Sequence, residues 1–320
     1  MTKDTLRIIY MGTPDFAVES LRALVEGGYQ VVAVVTMPDK PMGRHGSVLQ
    51  PSPVKQYALE HGLKVLQPER LKDPAFIEEL RSLQADLQVV VAFRMLPEVV
   101  WSMPPLGTFN AHASLLPKYR GAAPINWAII NGETETGITT FMLKHEIDTG
   151  DIIDQVRIPI GDDDNMEAVH DRLMQLSGRL VTKTVDSIID GTFRTVPQAD
   201  IEGVTPTTAP KIFRDTCRID WNQPTKRIYD FIRGLSPYPA AWTMLDGKSV
   251  KIFEAKKETA GPARPVHSPG TIVSDGKTFL KVCTADGLLD IETLQIEGKK
   301  KMSVPDLLRG FRLAENALFF

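Results

Sequence analysis

Residues 109–151 read FNAHASLLPKYRGAAPINWAIINGETETGITTFMLKHEIDTGD and determine most of what the sequence predicts. This stretch combines an amide at Asn110, an imidazole at His112 and a carboxylate at Asp148. Side chains on a β-strand repeat every two residues, so a strand here would project Asn110 and His112 to one face. Together the three groups are sufficient to move an acyl group onto an amine without a metal or a covalent intermediate.

Each of these side chains suits a different part of acyl transfer. The imidazole of His112 can hold or release a proton near neutral pH. The amide of Asn110 can donate to a developing oxyanion, an effect worth roughly 3–4 kcal/mol where single donors have been removed. The carboxylate of Asp148 would favour the imidazolium form of His112 and fix its ring. The remaining histidines are predicted to be structural: His45, His61, His145, His170 and His267.

The composition is typical of a soluble globular enzyme. The 320 residues, 42% hydrophobic and 24% charged, are enough for two domains. No run of about 18 apolar residues predicts a membrane span, and the N-terminus enters a strand pattern without the apolar core of a secretory signal. Cys217 and Cys283 lie far apart, with no zinc-type spacing near them. Neither a disulfide framework nor a metal is therefore predicted, which favours a reducing cytoplasm.

Short apolar runs alternate with helical periodicity through the first 190 residues. The pattern predicts strands over 6–11, 31–35, 87–93, 110–113, 137–143 and 152–158. It predicts helices ending near Val25 and over 54–61, 74–83 and 164–190. Continuous apolar strands between amphipathic helices indicate the α/β class, with a mainly parallel, Rossmann-like sheet and helices on both faces.

The chain changes character after residue 191. Residues 192–210 have no sustained period and contain Gly and Pro, which predicts a linker between domains 1–191 and 211–320. The second domain has one helical pattern and several short strands between turns, which predicts a small closed β-barrel. From residue 211 onward there are 18 Lys/Arg against 13 Asp/Glu, net +5, while the remainder carries −8. This asymmetry favours an anionic partner for the second domain.

Three motifs resemble the folate-dependent formyltransferase family: Asn110-Ala111-His112, SLLPKYRG at 114–121, and Asp148-Thr149-Gly150. The resemblance implies that 1–191 is a formyltransferase catalytic domain and that the barrel is OB-like. It implies 10-formyltetrahydrofolate as formyl donor and Asn110, His112 and Asp148 as catalytic residues. The folate pocket that it implies is lined by Ser114, Leu115, Leu116, Pro117, Phe93 and Met95.

Further segments resemble the methionyl-tRNA branch of that family. A basic loop at 38–46 contains Lys40 and Arg44, and the second domain contains a lysine run at 299–301. The resemblance implies that Lys40, Arg44, Lys299, Lys300 and Lys301 bind tRNA, through phosphate contacts that are sensitive to salt. The implied function is formylation of the α-amino group of methionyl initiator tRNA in translation initiation, by a cytoplasmic monomer.

Two alternatives stay open on the sequence. A sister formyltransferase that acts on a nucleotide-linked amino sugar shares the three motifs. A catalytically silent tRNA-binding protein is a second, although the intact set of Asn110, His112 and Asp148 argues against it. A dinucleotide dehydrogenase is disfavoured because the turn at Gly12 lacks the Gly-x-Gly-x-x-Gly pattern.

Overall fold

A computed structural model describes residues 1–42, 48–258 and 267–320, apart from the side chain of Met42. The chain divides into two compact units. The first unit comprises residues 1–121, 136–158 and 170–208, and the second comprises 122–135, 159–169 and 209–320. The domain boundaries predicted from the sequence, at 191 and 210, stay a prediction.

The secondary structure follows the predicted alternation. Up to residue 121 the elements are β1 (Ile8–Gly12), α1 (Val18–Glu26), β2 (Val31–Val35), β3 (Lys40–Met42), β4 (Val48–Gln50), α2 (Pro53–Glu60), β5 (Val65–Leu66), α3 (Pro74–Ser82), β6 (Leu87–Val91), α4 (Glu98–Trp101), β7 (Thr108–His112) and β8 (Arg120–Gly121). They continue with α5 (Pro124–Ile130), β9 (Glu135–Met142), β10 (Ile152–Pro159), α6 (Met166–Ile189), β11 (Thr208–Ala209), α7 (Thr225–Leu235), β12 (Ala241–Leu245), β13 (Lys248–Lys257), β14 (Ile272–Ser274), β15 (Leu280–Cys283), β16 (Leu288–Ile296), β17 (Met302–Ser303) and α8 (Val304–Gly310).

The first unit is built on a sheet with the strand order β10-β9-β7-β6-β1-β2-β5. The pairs from β5 across to β7 are parallel, and β9 runs antiparallel to β7. Every residue of β1 and β6 is buried. Strands of a parallel sheet are buried on both faces, which explains why their sequences are continuously apolar instead of alternating.

Helices cover both faces of this sheet. On one face, Ile9 and Val90 share a hydrophobic cluster with Phe76 of α3 and Val100 of α4. Tyr10 points the opposite way, and its hydroxyl donates to the carbonyl of a residue just before α1. On α1 and α6, the serines at positions 20 and 177 share a hydrogen bond of 2.9 Å. The predicted α/β class with a mainly parallel sheet is confirmed.

The second unit contains an antiparallel sheet with the order β12-β13-β16-β15-β14, with β17 added beside β16. The sheet curls into a half-barrel. The sheet packs on α7 and α8 through a core that includes Ile228, Ile232, Leu294 and Leu307. The small β domain predicted for the second part of the chain is therefore present.

The sequence did not predict the helix α5. This helix packs closely on α7, where a Cβ on Gly234 would lie only 2.7 Å from the Ile130 side chain. The stretch at 192–210, predicted as a linker, contains the 3-10 turn Gln198–Asp200 and the short strand β11. No helix within the described ranges is long and apolar enough to cross a membrane.

Candidate active site

The strand β7 positions the two central side chains of the site. It lies between β6 and β9, with Asn110 opposite Val90 on one neighbour and Phe141 on the other. Because side chains alternate along a strand, Asn110 and His112 lie on the same face near its carboxyl end. His112 is buried, with 8% of its surface exposed, and Asn110 is half-buried.

The ring of His112 is fixed by a backbone group. Its Nε2 atom lies 2.8 Å from the carbonyl oxygen of Tyr119. A carbonyl can only accept, so Nε2 carries a proton and donates it. Tyr119 adopts a φ of 62°, and this left-handed conformation turns its carbonyl towards the ring. The backbone of the Tyr-Arg-Gly turn therefore sets the orientation of the imidazole.

Asp148 faces the other nitrogen of the ring. Its Oδ2 atom lies 3.7 Å from His112 Nδ1 and accepts a hydrogen bond of 2.8 Å from the backbone N–H of Gly121. Both ring nitrogens thus face acceptors. At 3.7 Å, Nδ1 and Oδ2 are too far apart for a hydrogen bond, so the carboxylate is a charged neighbour of the ring and not its hydrogen-bond partner.

Asn110 has a buried oxygen without a partner. Its Oδ1 accepts no hydrogen bond from any residue that the structure describes. An unsatisfied buried acceptor costs about 1–3 kcal/mol. Because native proteins retain few such groups, this oxygen indicates that a polar ligand completes the site.

The Gly of the Asp-Thr-Gly turn is required by close packing. A Cβ on Gly150 would lie 1.6 Å from the carbonyl oxygen of Met142 and 3.0 Å from the ring of Phe141. Asp148 itself has a φ of 55°, which Asp tolerates better than most residues. The turn therefore brings the carboxylate to His112 only if position 150 lacks a side chain.

Gly150→Ala is expected to destabilise the protein by about 1–3 kcal/mol because the added methyl group displaces the Met142 backbone. The acyl-transfer activity predicted from the sequence should fall as well, since Asp148 moves with the turn. Thermal unfolding and the rate of that transfer measure the two effects. Gly310→Ala is the matched control, because a Cβ there meets nothing within 4 Å. Equal unfolding temperatures for the two variants would contradict the prediction.

The loop after β7 is held tightly from inside the unit. Ser114 Oγ donates to the carbonyl of Lys118 at 2.7 Å, and Thr139 Oγ1 donates to the carbonyl of Ser114 at 2.7 Å. Leu116 packs in a core cluster with Phe141 and other residues. Of the predicted folate residues in this loop, Ser114, Leu116 and Pro117 are buried and Leu115 is half-buried. The loop therefore offers a folate mainly a rigid backbone and the Leu115 side chain.

The predicted wall after β6 is partly open. Met95 is 69% exposed, while Phe93 is half-buried and packs against the sheet core. Between them Arg94 donates to the carbonyls of Glu69 and Pro68. Burial lowers the pKa of the Arg94 guanidinium from its usual value. Arg94 thus anchors the segment that carries the two apolar side chains.

The predicted tRNA-binding cations lie on exposed surfaces where they are described. Lys40 is exposed on β3, while Arg44 lies outside the described residues. In the second unit Lys299, Lys300 and Lys301 are exposed in the segment after β16, and Lys301 Nζ lies 4.5 Å from the ring centroid of Phe253. Within the described part of the chain, no group of three or more His, Cys, Asp or Glu could hold a metal ion.

Sequence reasoning missed the backbone groups of the site. The carbonyl of Tyr119 and the N–H of Gly121 contact His112 and Asp148 directly. The turn-like sequence after Pro117 could have indicated these backbone contacts. It suggested roles for the side chains of Tyr119 and Arg120 instead.

Comparison with known proteins identifies both halves of the chain. The Formyl transferase family profile matches residues 6–185, and the profile of the Formyl transferase C-terminal domain matches residues 211–312.

Solved structures share the fold. The N-formyltransferase from Helicobacter canadensis, in complex with folinic acid and dTDP-3-aminofucose, matches with a TM-score of 0.66 at 20% identity, covering 94% of this chain and 100% of that one. HypX from Aquifex aeolicus, in complex with tetrahydrofolic acid, matches with a TM-score of 0.64 at 20% identity, covering 94% of this chain and 46% of that one. At these identities the likeness shows the fold alone.

Relatives of much higher identity cover nearly the whole chain. The methionyl-tRNA formyltransferase of Parabacteroides distasonis is 65% identical over 319 residues, 98% of each chain. The methionyl-tRNA formyltransferase of Porphyromonas gingivalis (strain ATCC 33277) is 50% identical over 321 residues, 99% of each chain. The profile matches and these relatives together show that the chain belongs to the methionyl-tRNA formyltransferase family.

Proposed function

We propose that the enzyme takes its formyl group from 10-formyltetrahydrofolate and that Asn110, His112 and Asp148 carry the transfer. The acceptor is initiator methionyl-tRNA, since relatives named methionyl-tRNA formyltransferase are 65% and 64% identical over nearly the full chain. The observation that supports the catalytic assignment best is the position of His112. Its Nδ1 faces Asp148 at 3.7 Å, beside an Asn110 amide whose oxygen has no partner among the described residues.

In the proposed reaction, a C–N bond forms between the α-amino nitrogen of methionine and the formyl carbon, and the bond from that carbon to N10 of the folate breaks. The amine loses one proton and N10 gains one. Asn110 Nδ2 donates to the oxyanion that develops on the formyl oxygen, while its Oδ1 accepts from the attacking amine. The protonated His112 adds positive charge beside that oxyanion, and Asp148 supports the imidazolium.

Holding both substrates on one enzyme makes the attack effectively unimolecular, which can lower the barrier by about 7–11 kcal/mol when the geometry is good. The Ser114–Pro117 loop is suited to hold the folate in place, because its polar groups already form hydrogen bonds within the protein. We propose that it lines the folate site together with Phe93 and Met95.

A donor and acceptor assay tests the proposal. Transfer of radiolabelled formyl from 10-formyltetrahydrofolate to methionyl initiator tRNA is compared with transfer to a nucleotide-linked amino sugar. We expect product only with the tRNA. The 5-formyl isomer serves as the donor control, because its formyl group is attached to N5 instead of N10. Transfer from the 5-formyl isomer at an equal rate would overturn the donor assignment.

For tRNA binding we propose phosphate contacts by Lys40, Arg44 and the lysines at 299–301. Replacing Lys299, Lys300 and Lys301 by alanine should weaken tRNA binding and leave kcat at saturating tRNA unchanged. For each phosphate that a lysine no longer neutralises, the slope of log affinity against log salt should fall by about 0.7–0.9. Filter binding at several salt concentrations measures this slope.

The matched control removes the same charge from exposed lysines elsewhere: Lys72, Lys248 and Lys277. Equal effects from the two triple variants would mean that only net charge matters, and the assignment of Lys299–Lys301 would be wrong. Action in the cytoplasm, where charged tRNA is used, and a monomeric state are parts of the same proposal. Light scattering on the purified protein tests the monomer.

A further inference from the structure

Gln198 lies in the stretch that the sequence assigned to a linker, and it is buried in the first unit. It begins the 3-10 turn Gln198–Asp200, and only 5% of its surface is exposed. A buried amide must have its donors and its acceptor satisfied, because an unpaired buried polar group is costly. Within the described residues, the side-chain partners of Gln198 all belong to the site or to its immediate support.

The donor end of Gln198 holds the Asp-Thr-Gly turn. Its Nε2 donates to the carbonyl of Asp148 at 2.8 Å and to the carbonyl of Gly150 at 2.9 Å. These two bonds use both protons of the amide. They fix the backbone on each side of Thr149, in a turn where Asp148 has a positive φ that non-glycine residues disfavour.

The acceptor end of Gln198 holds the turn that contacts the Asp148 side chain. Its Oε1 accepts from Arg120 Nε at 3.1 Å and from Arg120 Nη2 at 2.7 Å. The next residue, Gly121, donates its N–H to Asp148 Oδ2 at 2.8 Å. One side chain therefore connects the backbone of Asp148 to the segment that binds its carboxylate.

We propose that Gln198 is a positioning residue for Asp148, which fixes the carboxylate beside Nδ1 of His112. The inference rests on the proposed roles of Asp148 and His112 in the transfer. Both attachment points of Asp148, its backbone and its carboxylate, depend on this amide. Loss of the amide should therefore displace the carboxylate without emptying either substrate site.

Two variants test the two ends of the amide. Gln198→Ala removes all four hydrogen bonds. Gln198→Glu keeps an acceptor for Arg120 but has no donor for the carbonyls of Asp148 and Gly150. We expect kcat to fall by about 10- to 100-fold in both, the loss typical of a misplacement near 1 Å. KM for the donor and for tRNA should change by less than about twofold, since uniform binding is unaffected.

Two readouts separate positioning from stability: kcat per folded enzyme, with the folded fraction measured by circular dichroism at the assay temperature, and KM for each substrate. Displacing Asp148 should lower kcat per folded enzyme in both variants. Tyr29→Phe is the control, because it removes the Tyr29–Asp186 hydrogen bond of 2.5 Å elsewhere in the same unit. It should lower the unfolding temperature without changing kcat per folded enzyme or either KM.

The outcomes are distinct when Asp148→Asn is measured in parallel. A dead Asp148→Asn with Gln198→Glu at wild-type kcat would overturn the positioning role and leave the proposed function standing. An active Asp148→Asn would instead overturn the catalytic role of Asp148, on which the inference depends. A loss of kcat per folded enzyme without a rise in KM, in both Asp148→Asn and Gln198→Glu, supports both.

Discussion

His112→Ala is expected to abolish most formyl transfer, lowering kcat by about 10²–10⁴-fold, the usual contribution of a positioned acid–base group. The variant loses the charged ring beside the oxyanion, while the residues proposed to line the folate site are unchanged. Binding of an unreactive folate, the 5-formyl isomer, should therefore persist. Transfer to methionyl-tRNA gives kcat, and calorimetric titration gives the folate affinity.

Folding must be checked in the same variant, because the Tyr119 carbonyl loses its partner at an expected cost of about 1–3 kcal/mol. His61→Ala provides the matched control. The ring of His61 also contacts a backbone carbonyl, that of Tyr57, at 2.9 Å. We expect His61→Ala to transfer at the wild-type rate. Near wild-type turnover in His112→Ala would remove the imidazole from the mechanism.

The sequence predicted those parts of the site that obey a local period. Asn110 and His112 are two residues apart in an apolar run, so their common face follows from strand geometry alone. The strand predicted at 31–35 has the same bounds in the structure. Its residues form a continuous apolar run rich in β-branched valine, which favours a strand.

The parts that the sequence did not reveal depend on long-range polar contacts. Gln198 reaches a turn fifty residues earlier in the chain through its side-chain amide, and no period or motif marks such a partner. The Tyr119 carbonyl binds His112 because of a left-handed backbone angle, which an aromatic residue does not predict. The helix α5 was missed because it has only seven residues, too few for a helical period to stand out.

Asp148→Asn is the second large expected effect, because it removes one charge and leaves the shape of the turn. An asparagine oxygen can still accept the Gly121 N–H, and the backbone bonds from Gln198 are unaffected. We expect kcat to fall by about 10²–10⁴-fold, because a neutral amide no longer stabilises positive charge on His112 during the transfer. Transfer to methionyl-tRNA measures kcat.

Asp151→Asn is the control for Asp148→Asn, because it removes a carboxylate only three residues away. Asp151 lies 2.6 Å from Lys144 Nζ, in an ion pair whose lysine is half exposed. Pairs of this kind contribute about 0–1 kcal/mol, so kcat should stay at its wild-type value. If Asp151→Asn instead lost as much activity as Asp148→Asn, the local negative charge, and not the contact with His112, would explain the effect. A loss confined to position 148 would mean that a carboxylate is needed beside Nδ1 of His112.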